Sequence, residues 1–309
     1  MCMRPEFMFL SMVIPGPSSP GRNIDVCLRP LVDELTQLWS SRALTYDISR
    51  KQNFVMRAAL MWTINDFPAY GMVSSWSTHG KLACPYCMEN NKAFMLTNRG
   101  KAFFFYCHHD FLPLNHRYRK NRNDFFVGRV KKDVAPPRLS GEELFDVVSE
   151  YGDIVFSLQS SKQKFPGFGL THNWVKQSIF WELPYWKTNL LRHNLDVMHI
   201  EKNVFENIFN TVMDVKGKTN DNIKARLDVA VFYNCKNMEL VCDGSRVAKL
   251  RASFVLEKNT QLLVYKWLKS LRFPDGHASN ISRLVNTEEC NYMEWRVMTA
   301  MCLCKHLSH

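Results

Sequence analysis

Apolar positions along the chain set out a strand, a helix and a second strand before any composition is considered. Phe7 to Ile14 is a nearly continuous apolar run closed by Pro-Gly-Pro-Ser-Ser-Pro-Gly, the pattern of a buried strand ending in a loop. From Asn23, an N-cap residue type, Ile24, Leu28, Leu31, Leu35 and Leu38 recur at helical spacing as far as Trp39, with Pro30 able to delay the regular helix until that point. Phe54 to Ile64 is again apolar and strand-like, and it stops at Asn65-Asp66-Phe67-Pro68, where proline ends the element just past an aspartate. The expectation is an α/β sheet with Asp66 at the C-terminal edge of a strand, where open α/β sheets place their ligands.

Beyond residue 75 the periodicity weakens. Residues 76–130 read as a loop-rich, Cys/His-containing basic insertion, and 131–169 as a Pro-rich, charged linker holding one short helix from Ser140-Gly141-Glu142-Glu143 to Tyr151. Residues 170–288 form a mainly helical block. In it Asp196 caps a helix whose apolar stripe is expected at Ile200, Val204, Ile208 and Val212, and a partner helix follows from Asp221 to Phe232. Neither an internal repeat nor a low-complexity tract interrupts the 309 residues.

Charge then narrows the partners. Forty Lys and Arg against 29 Asp and Glu give a net charge of +11, which favours a polyanion, while 46% hydrophobic residues are enough for a core. No run approaches the roughly 20 apolar residues that cross a bilayer, so no membrane partner is expected. Ten scattered cysteines, two of them in a Cys-x-x-Cys pair, suit metal binding in a reducing compartment better than a disulfide framework.

Four groups of residues carry candidate chemistry. Asp66 has the strand-end position that two-metal phosphodiester chemistry needs, and equally the position of a turn-capping aspartate. Cys84-Pro85-Tyr86-Cys87 supplies half of a tetrahedral zinc site, with His108 and His116 as completing ligands and Cys107 and His109 as competitors; two unliganded thiols are the alternative. His193, Asp196 and His199 form a further cluster, readable as metal-facing or as a helix cap with its neighbours. Arg117, Arg119, Lys120 and Arg122, extended by Lys131 and Lys132, mix cations with aromatic residues as DNA-tracking surfaces do, although a solvated basic loop has the same composition. Walker, GxSxG and HExxH patterns are absent.

Taken in order, the strings LSMVIPGPSSPGRNIDVCLRPLVDEL, RAALMWTINDFPAYG, GKLACPYC, HDFLPLNHRYR, ELPYWKTNLLRHNLDVMHIEKNV and FPDGHASNISR resemble the central domain of the CACTA (En/Spm-like) transposases of plant DNA transposons. The resemblance covers roughly residues 1 to 288 and lapses in the divergent tail 289–309. It implies a nuclear DDE-type enzyme that binds transposon ends, assembles with other transposase subunits and cuts and rejoins DNA with Mg²⁺ or Mn²⁺, the cysteine pair holding a structural Zn²⁺. It further implies that residues 1–75 are part of an RNase H-like core, with Phe7–Ile14 as its third strand, Asn23–Trp39 as its first helix and Asp66 as the second acid. The first acid is expected upstream of Met1 and the third beyond this chain, with Glu201 and Asp196 as local substitutes. The expectation is therefore a transposase fragment, catalytically incomplete on its own, the alternative being a non-enzymatic, zinc-stabilised module that binds DNA or another protein.

Overall fold

The computed structural model describes residues 8–103, 110–120, 132–151, 165–232, 238–244, 246–272 and 280–293. In chain order the regular elements are α1 (Ile24–Ser40), β1 (Ala43–Asp47), β2 (Gln52–Met56), β3 (Thr63–Asn65), α2 (Phe67–Ser74), β4 (Phe94–Met95), β5 (Ala102–Phe103), α3 (Arg117–Lys120), α4 (Gly141–Ser149), β6 (His193–Leu195), α5 (Val197–Val212), α6 (Ile223–Phe232), β7 (Leu240–Asp243), β8 (Arg246–Lys249), α7 (Lys258–Ser270), β9 (Val285–Asn286) and β10 (Asn291–Tyr292). Helices and small sheets mix, as an α/β reading requires, but each sheet among the described residues has only two strands. Four pairs are antiparallel, while β3 and β6 run parallel, with Thr63 opposite His193 and Asn65 opposite Leu195.

The chain divides into two compact units, residues 1–91 with 136–195, and residues 92–135 with 196–309. In the first, α1 and α2 pack against the 3-10 turns Ile179–Glu182 and Trp186–Thr188 around Ile24, Val32, Val73, Phe180, Leu183 and Trp186. A second cluster joins Trp76 to Trp174, edge to face with centroids 4.9 Å apart, over Leu82 and Val148. Inside this unit Asp25 and Lys176 form a buried ion pair at 2.7 Å. Burial raises the Asp25 pKa and lowers that of Lys176, each against the pull of its partner.

Two of the anticipated strands take other forms. Of the run Phe7–Ile14, Phe7 lies outside the described residues, and residues 8–14 make no strand, with Phe9 and Leu10 89% and 79% exposed and no paired strand among the described residues. Phe54 to Ile64 is broken: its first residues belong to β2, hairpinned to β1 through a turn in which Asp47 accepts from the Ser49 and Arg50 backbone amides at 2.9 and 3.1 Å. Its middle has no ladder, since the Tyr185 hydroxyl accepts from Leu60 N at 2.8 Å and Asn189 Nδ2 donates to Leu60 O and Met61 O. Only the last two residues of the run enter β3.

The helical expectations fare better at their starts than on their faces. The helix begins after Asn23, and α4 opens with a reciprocal capping box, Ser140 N donating to Glu143 Oε2 at 2.7 Å and Glu143 N to Ser140 Oγ at 3.2 Å. At Gly141 a Cβ would stand 1.8 Å from the Lys187 carbonyl oxygen, so only glycine lets α4 approach the 186–188 turn. Asp196 caps α5 as anticipated, but Ile200, Val204 and Ile208 are 43%, 52% and 60% exposed. The buried line is Phe205, Phe209 and Met213, which meets Tyr265, Leu268 and Tyr292 in the core of the second unit. Aromatic side chains remove more apolar area from water than Ile or Val, and that decides which stripe turns inward.

The second unit is pinned by buried charge. Arg226 grips Asp221 through Nε and Nη2 at 2.7 and 2.8 Å with both side chains inaccessible, and Lys249 Nζ stands 3.5 Å from the same carboxylate. The Arg226 bond, then its charge, holds Asp221 below the usual carboxylate range. The Arg226→Ala variant leaves that carboxylate buried with Lys249 alone and is expected to lose about 3–5 kcal/mol of stability, measured by urea unfolding; a loss under 1 kcal/mol would show the pair to be dispensable.

His193 gives a pH prediction. Burial, then the Arg192 charge, pushes it down to about 3, so it stays neutral where an unfolded histidine of pKa near 6.5 takes a proton. The unfolded chain then binds more protons between those values, so this contribution is complete above pH 6.5 and declines as pH falls towards 3. Thermal unfolding from pH 7 to pH 4 should show a steeper loss of Tm in the natural chain than in His193→Gln, and parallel curves would remove His193 from the account.

Candidate functional site

β3 and β6 organise the first unit's chemistry. Thr63 N donates to Arg192 O at 2.9 Å, and the Thr63 hydroxyl lies 2.7 Å from His193 Nδ1 while accepting from Asn65 Nδ2 at 2.7 Å. The hydroxyl can give its own proton to Nδ1 or accept from Nδ1–H through its second lone pair, according to the tautomer of the neutral ring. Each strand is followed in sequence by an aspartate, Asp66 after Asn65 and Asp196 after Leu195, and each aspartate caps the next helix.

The two caps differ in what they leave open. Asp66 Oδ1 accepts from Ala69 N at 2.8 Å, whereas Oδ2 has no hydrogen-bond partner among the described residues. Asp196 uses both oxygens, Oδ1 for Met198 N at 2.9 Å and Oδ2 for His199 Nδ1 at 2.7 Å. The His199 bond lowers the Asp196 pKa against a small burial cost, with Met198 N assisting. Glu201 stands five residues further on, roughly 140° round the helix from Asp196 at 3.6 residues per turn. Of the group His193, Asp196 and His199, only the last two are bonded to each other; His193 belongs to β6.

The cysteine pair sits in a tight turn. Cys87 N points at Cys84 Sγ from 3.4 Å and Met88 N bonds Cys84 O at 2.9 Å, while Met88 itself takes φ +44°, a conformation that a methionine rarely adopts. Trp76 Nε1 fixes the approach by donating to Leu82 O at 2.8 Å. A backbone N–H directed at sulfur favours a thiolate, so the turn fits a metal ion held through Cys84 and Cys87. His116 is part of the second unit, where its Nδ1 accepts from Tyr118 N at 3.3 Å; His108, Cys107 and His109 lie outside the described residues. Among the described residues no three His, Cys, Asp or Glu side chains converge as a metal-binding group.

The basic segment separates into surface and interior. Arg117, Lys120 and Lys132 are exposed, with Arg117 4.8 Å from the Tyr118 ring centroid. Arg119 is 2% exposed: its guanidinium donates to the carbonyls of Leu112 at 2.8 Å, and of Asp133 and Asp110 at 2.7 Å each. It is therefore a staple between Leu112, Asp110 and Asp133 rather than a phosphate contact, because its guanidinium is buried against their carbonyls. Arg122 and Lys131 lie outside the described residues.

Residues 1–151 match the model of the transposase family tnp2. No curated protein and no solved structure matches the chain. The transposase-like stretch contains Asp66, the cysteine pair and the basic segment, whereas Asp196 and Glu201 fall beyond it. Among the described residues no helix is long and apolar enough to cross a membrane.

Sequence reasoning singled out Asp66 and the Cys84–Cys87 turn as candidates and did not consider the aromatic and arginine residues around them. Tyr70, one turn into α2, and Arg192, one residue before β6, flank the strand pair, and the only sequence sign of them was their position beside Asp66 and His193. Burial, then the Cys84 thiol charge, pushes the Tyr70 hydroxyl up to about 12, with Arg192 opposing. The cysteine turn yields the next prediction: the purified chain should carry close to one zinc ion by elemental analysis and Cys84→Ser/Cys87→Ser should carry none. Equal zinc in both proteins would place the metal elsewhere.

Proposed function

We propose that the chain is a transposase-derived DNA-binding protein of the CACTA (En/Spm-like) type whose ancestral chemistry is metal-dependent cleavage and joining of DNA strands. The observation that carries the reading is Asp66: an aspartate with one carboxylate oxygen unbonded among the described residues, at the C-terminal end of a parallel strand, inside the stretch that matches a transposase family. The matched strand end supports an RNase H-like ancestry for the first unit, and the net charge of +11 supports DNA as the partner, hence a nuclear setting. Asp66 Oδ2 is the atom that would hold Mg²⁺ or Mn²⁺, a group whose role in such chemistry is to stabilise charge on the attacking and leaving oxygens. Zn²⁺ on the cysteine turn would have a structural part, its remaining ligands coming from outside that turn.

On this reading the chain does not complete the reaction alone: of the candidate acids only Asp66 lies in the stretch that matches the transposase family, and Asp196 and Glu201 fall beyond it. The role left to the chain is binding DNA, with other transposase subunits supplying further acids.

The test is a fluorescence-anisotropy titration of the full chain with a transposon-end duplex at 50 and 200 mM salt, and a Mg²⁺ or Mn²⁺ nicking assay on the same samples. Affinity should fall by at least tenfold between the two salts, as phosphate contacts release counterions, and no nicking should appear. Salt-independent or absent duplex binding would sink the DNA-binding reading. Nicking that vanishes in Asp66→Ala would show instead that the catalytic set is complete and that Asp66 belongs to it.

A further inference from the structure

A cleft in the first unit is lined by the aromatic rings of Tyr70, Tyr86, Trp174 and Trp181 and by two arginines, Arg138 and Arg192. No Asp or Glu is among its lining residues. The Arg192 guanidinium carbon stands 5.7 Å from the Trp181 ring centroid, and Nη1 donates to Asn189 O at 2.8 Å. Arg138 Nη2 donates to Leu190 O at 3.2 Å. A guanidinium has five N–H donors, so each arginine bonded to a single carbonyl keeps most of its donors for another acceptor. Burial, opposed by Tyr70, and then the neighbouring Arg138 charge weaken the proton affinity of Arg192, which marks two cations held together without a carboxylate in the lining to neutralise them.

Charge of this kind attracts an anion, and the planar walls select one with a π face. Guanidinium groups meet phosphate oxygens through paired N–H bonds, while bases stack on Trp and Tyr rings of any orientation that leaves a face open. A base inside a duplex hides both faces against its neighbours and must leave the stack to be received by such a wall. Tyr86 and Arg138 are exposed at the cleft's rim, and Tyr86 lies between the two cysteines, so the turn that holds Cys84 and Cys87 also sets the position of one wall. Tyr70 N bonds Asp66 O at 2.8 Å, which puts the opposite wall one helical turn from the aspartate at the end of β3.

We propose that this cleft receives one unpaired nucleotide of a DNA strand, its base against Tyr86 and Trp181 and its phosphate towards Arg138 and Arg192. The assignment rests on the reading of the chain as a DNA-binding protein and adds to it a site for a nucleotide outside the duplex.

The experiment uses the full chain, with fluorescein-labelled single-stranded (dT)12, a duplex of the same length, free dTMP and inorganic phosphate as probes. Arg138→Ala and Tyr86→Ala alter exposed side chains, and thermal unfolding of both variants checks that the fold is kept. Each variant is expected to weaken (dT)12 binding about tenfold, in the range of one lost stacking or phosphate contact, with duplex affinity changed less than threefold. dTMP should quench tryptophan fluorescence in the natural chain, and inorganic phosphate should not displace it at equal concentration. Equal losses on single strand and duplex, or unchanged (dT)12 binding in both variants, would overturn the nucleotide site while leaving duplex binding intact. Phosphate competing as well as dTMP would reduce the cleft to an anion site and overturn base recognition. If duplex and single strand both fail to bind while dTMP still quenches in an Arg138-dependent way, the DNA-binding reading falls and the occupant is a free nucleotide, which overturns the strand.

Discussion

Three residues paired with three others across about 130 positions of chain hold the first unit's site together. The parallel contact of Thr63–Asn65 with His193–Leu195 is short, yet it determines where Asp66, Tyr70, Arg192 and His193 stand. Loop-closure entropy grows only slowly with length, so the separation is affordable, but a three-residue ladder cannot meet that cost by its own hydrogen bonds. The cores around Phe180, Trp186 and Val73, and around Trp76 and Trp174, supply the remainder, because they join the same two stretches of sequence. The Thr63–His193 hydrogen bond then fixes the register, since a slip of one residue would turn His193 to the other face of the strand.

What could be read from the sequence follows from how local each signal is. The Ser140 capping box and the Asp196 cap depend on side chains within a few residues, and both stand where the pattern puts them, as does the start of α1 after Asn23, which has no side-chain cap bond. The run from Phe54 to Ile64 misleads because its partners are distant: Tyr185 and Asn189 replace a strand ladder with side-chain bonds that no local window contains. The α5 stripe misleads for a related reason. Two apolar lines run along that helix, and which one turns inward is settled by Tyr265 and Tyr292, far along the chain. Of the candidate site, Asp66 and the cysteine turn stand out as short local motifs, whereas the arginine and aromatic lining of the cleft is assembled from five separated segments.

Net charge proves a coarser guide than it looks. Among the cations that make up the excess, Arg119, Lys176 and Arg226 are spent inside the two units on backbone carbonyls or buried aspartates. A buried arginine with its donors satisfied adds rigidity to a loop and nothing to the attraction of phosphate at short range. The described cations available to a polyanion are therefore those whose guanidinium or ammonium groups remain in solvent, such as Arg117, Lys120 and Lys132, or in an open cleft, such as Arg138 and Arg192.

Metal binding and nucleotide binding need not be independent in the first unit. Cys84 and Cys87 bracket Tyr86, and the turn between them holds Met88 at a positive φ that costs about 1–3 kcal/mol in a residue with a side chain. Trp76 opposes that strain through its bond to Leu82, and an ion on the two sulfurs would oppose it further by fixing the same turn. Without either tether the turn can relax, and Tyr86, which lies between the two cysteines, would shift with it. On the two proposals together, an ion on the sulfur pair would act on the cleft through the backbone of the turn, since Tyr86 lies inside it.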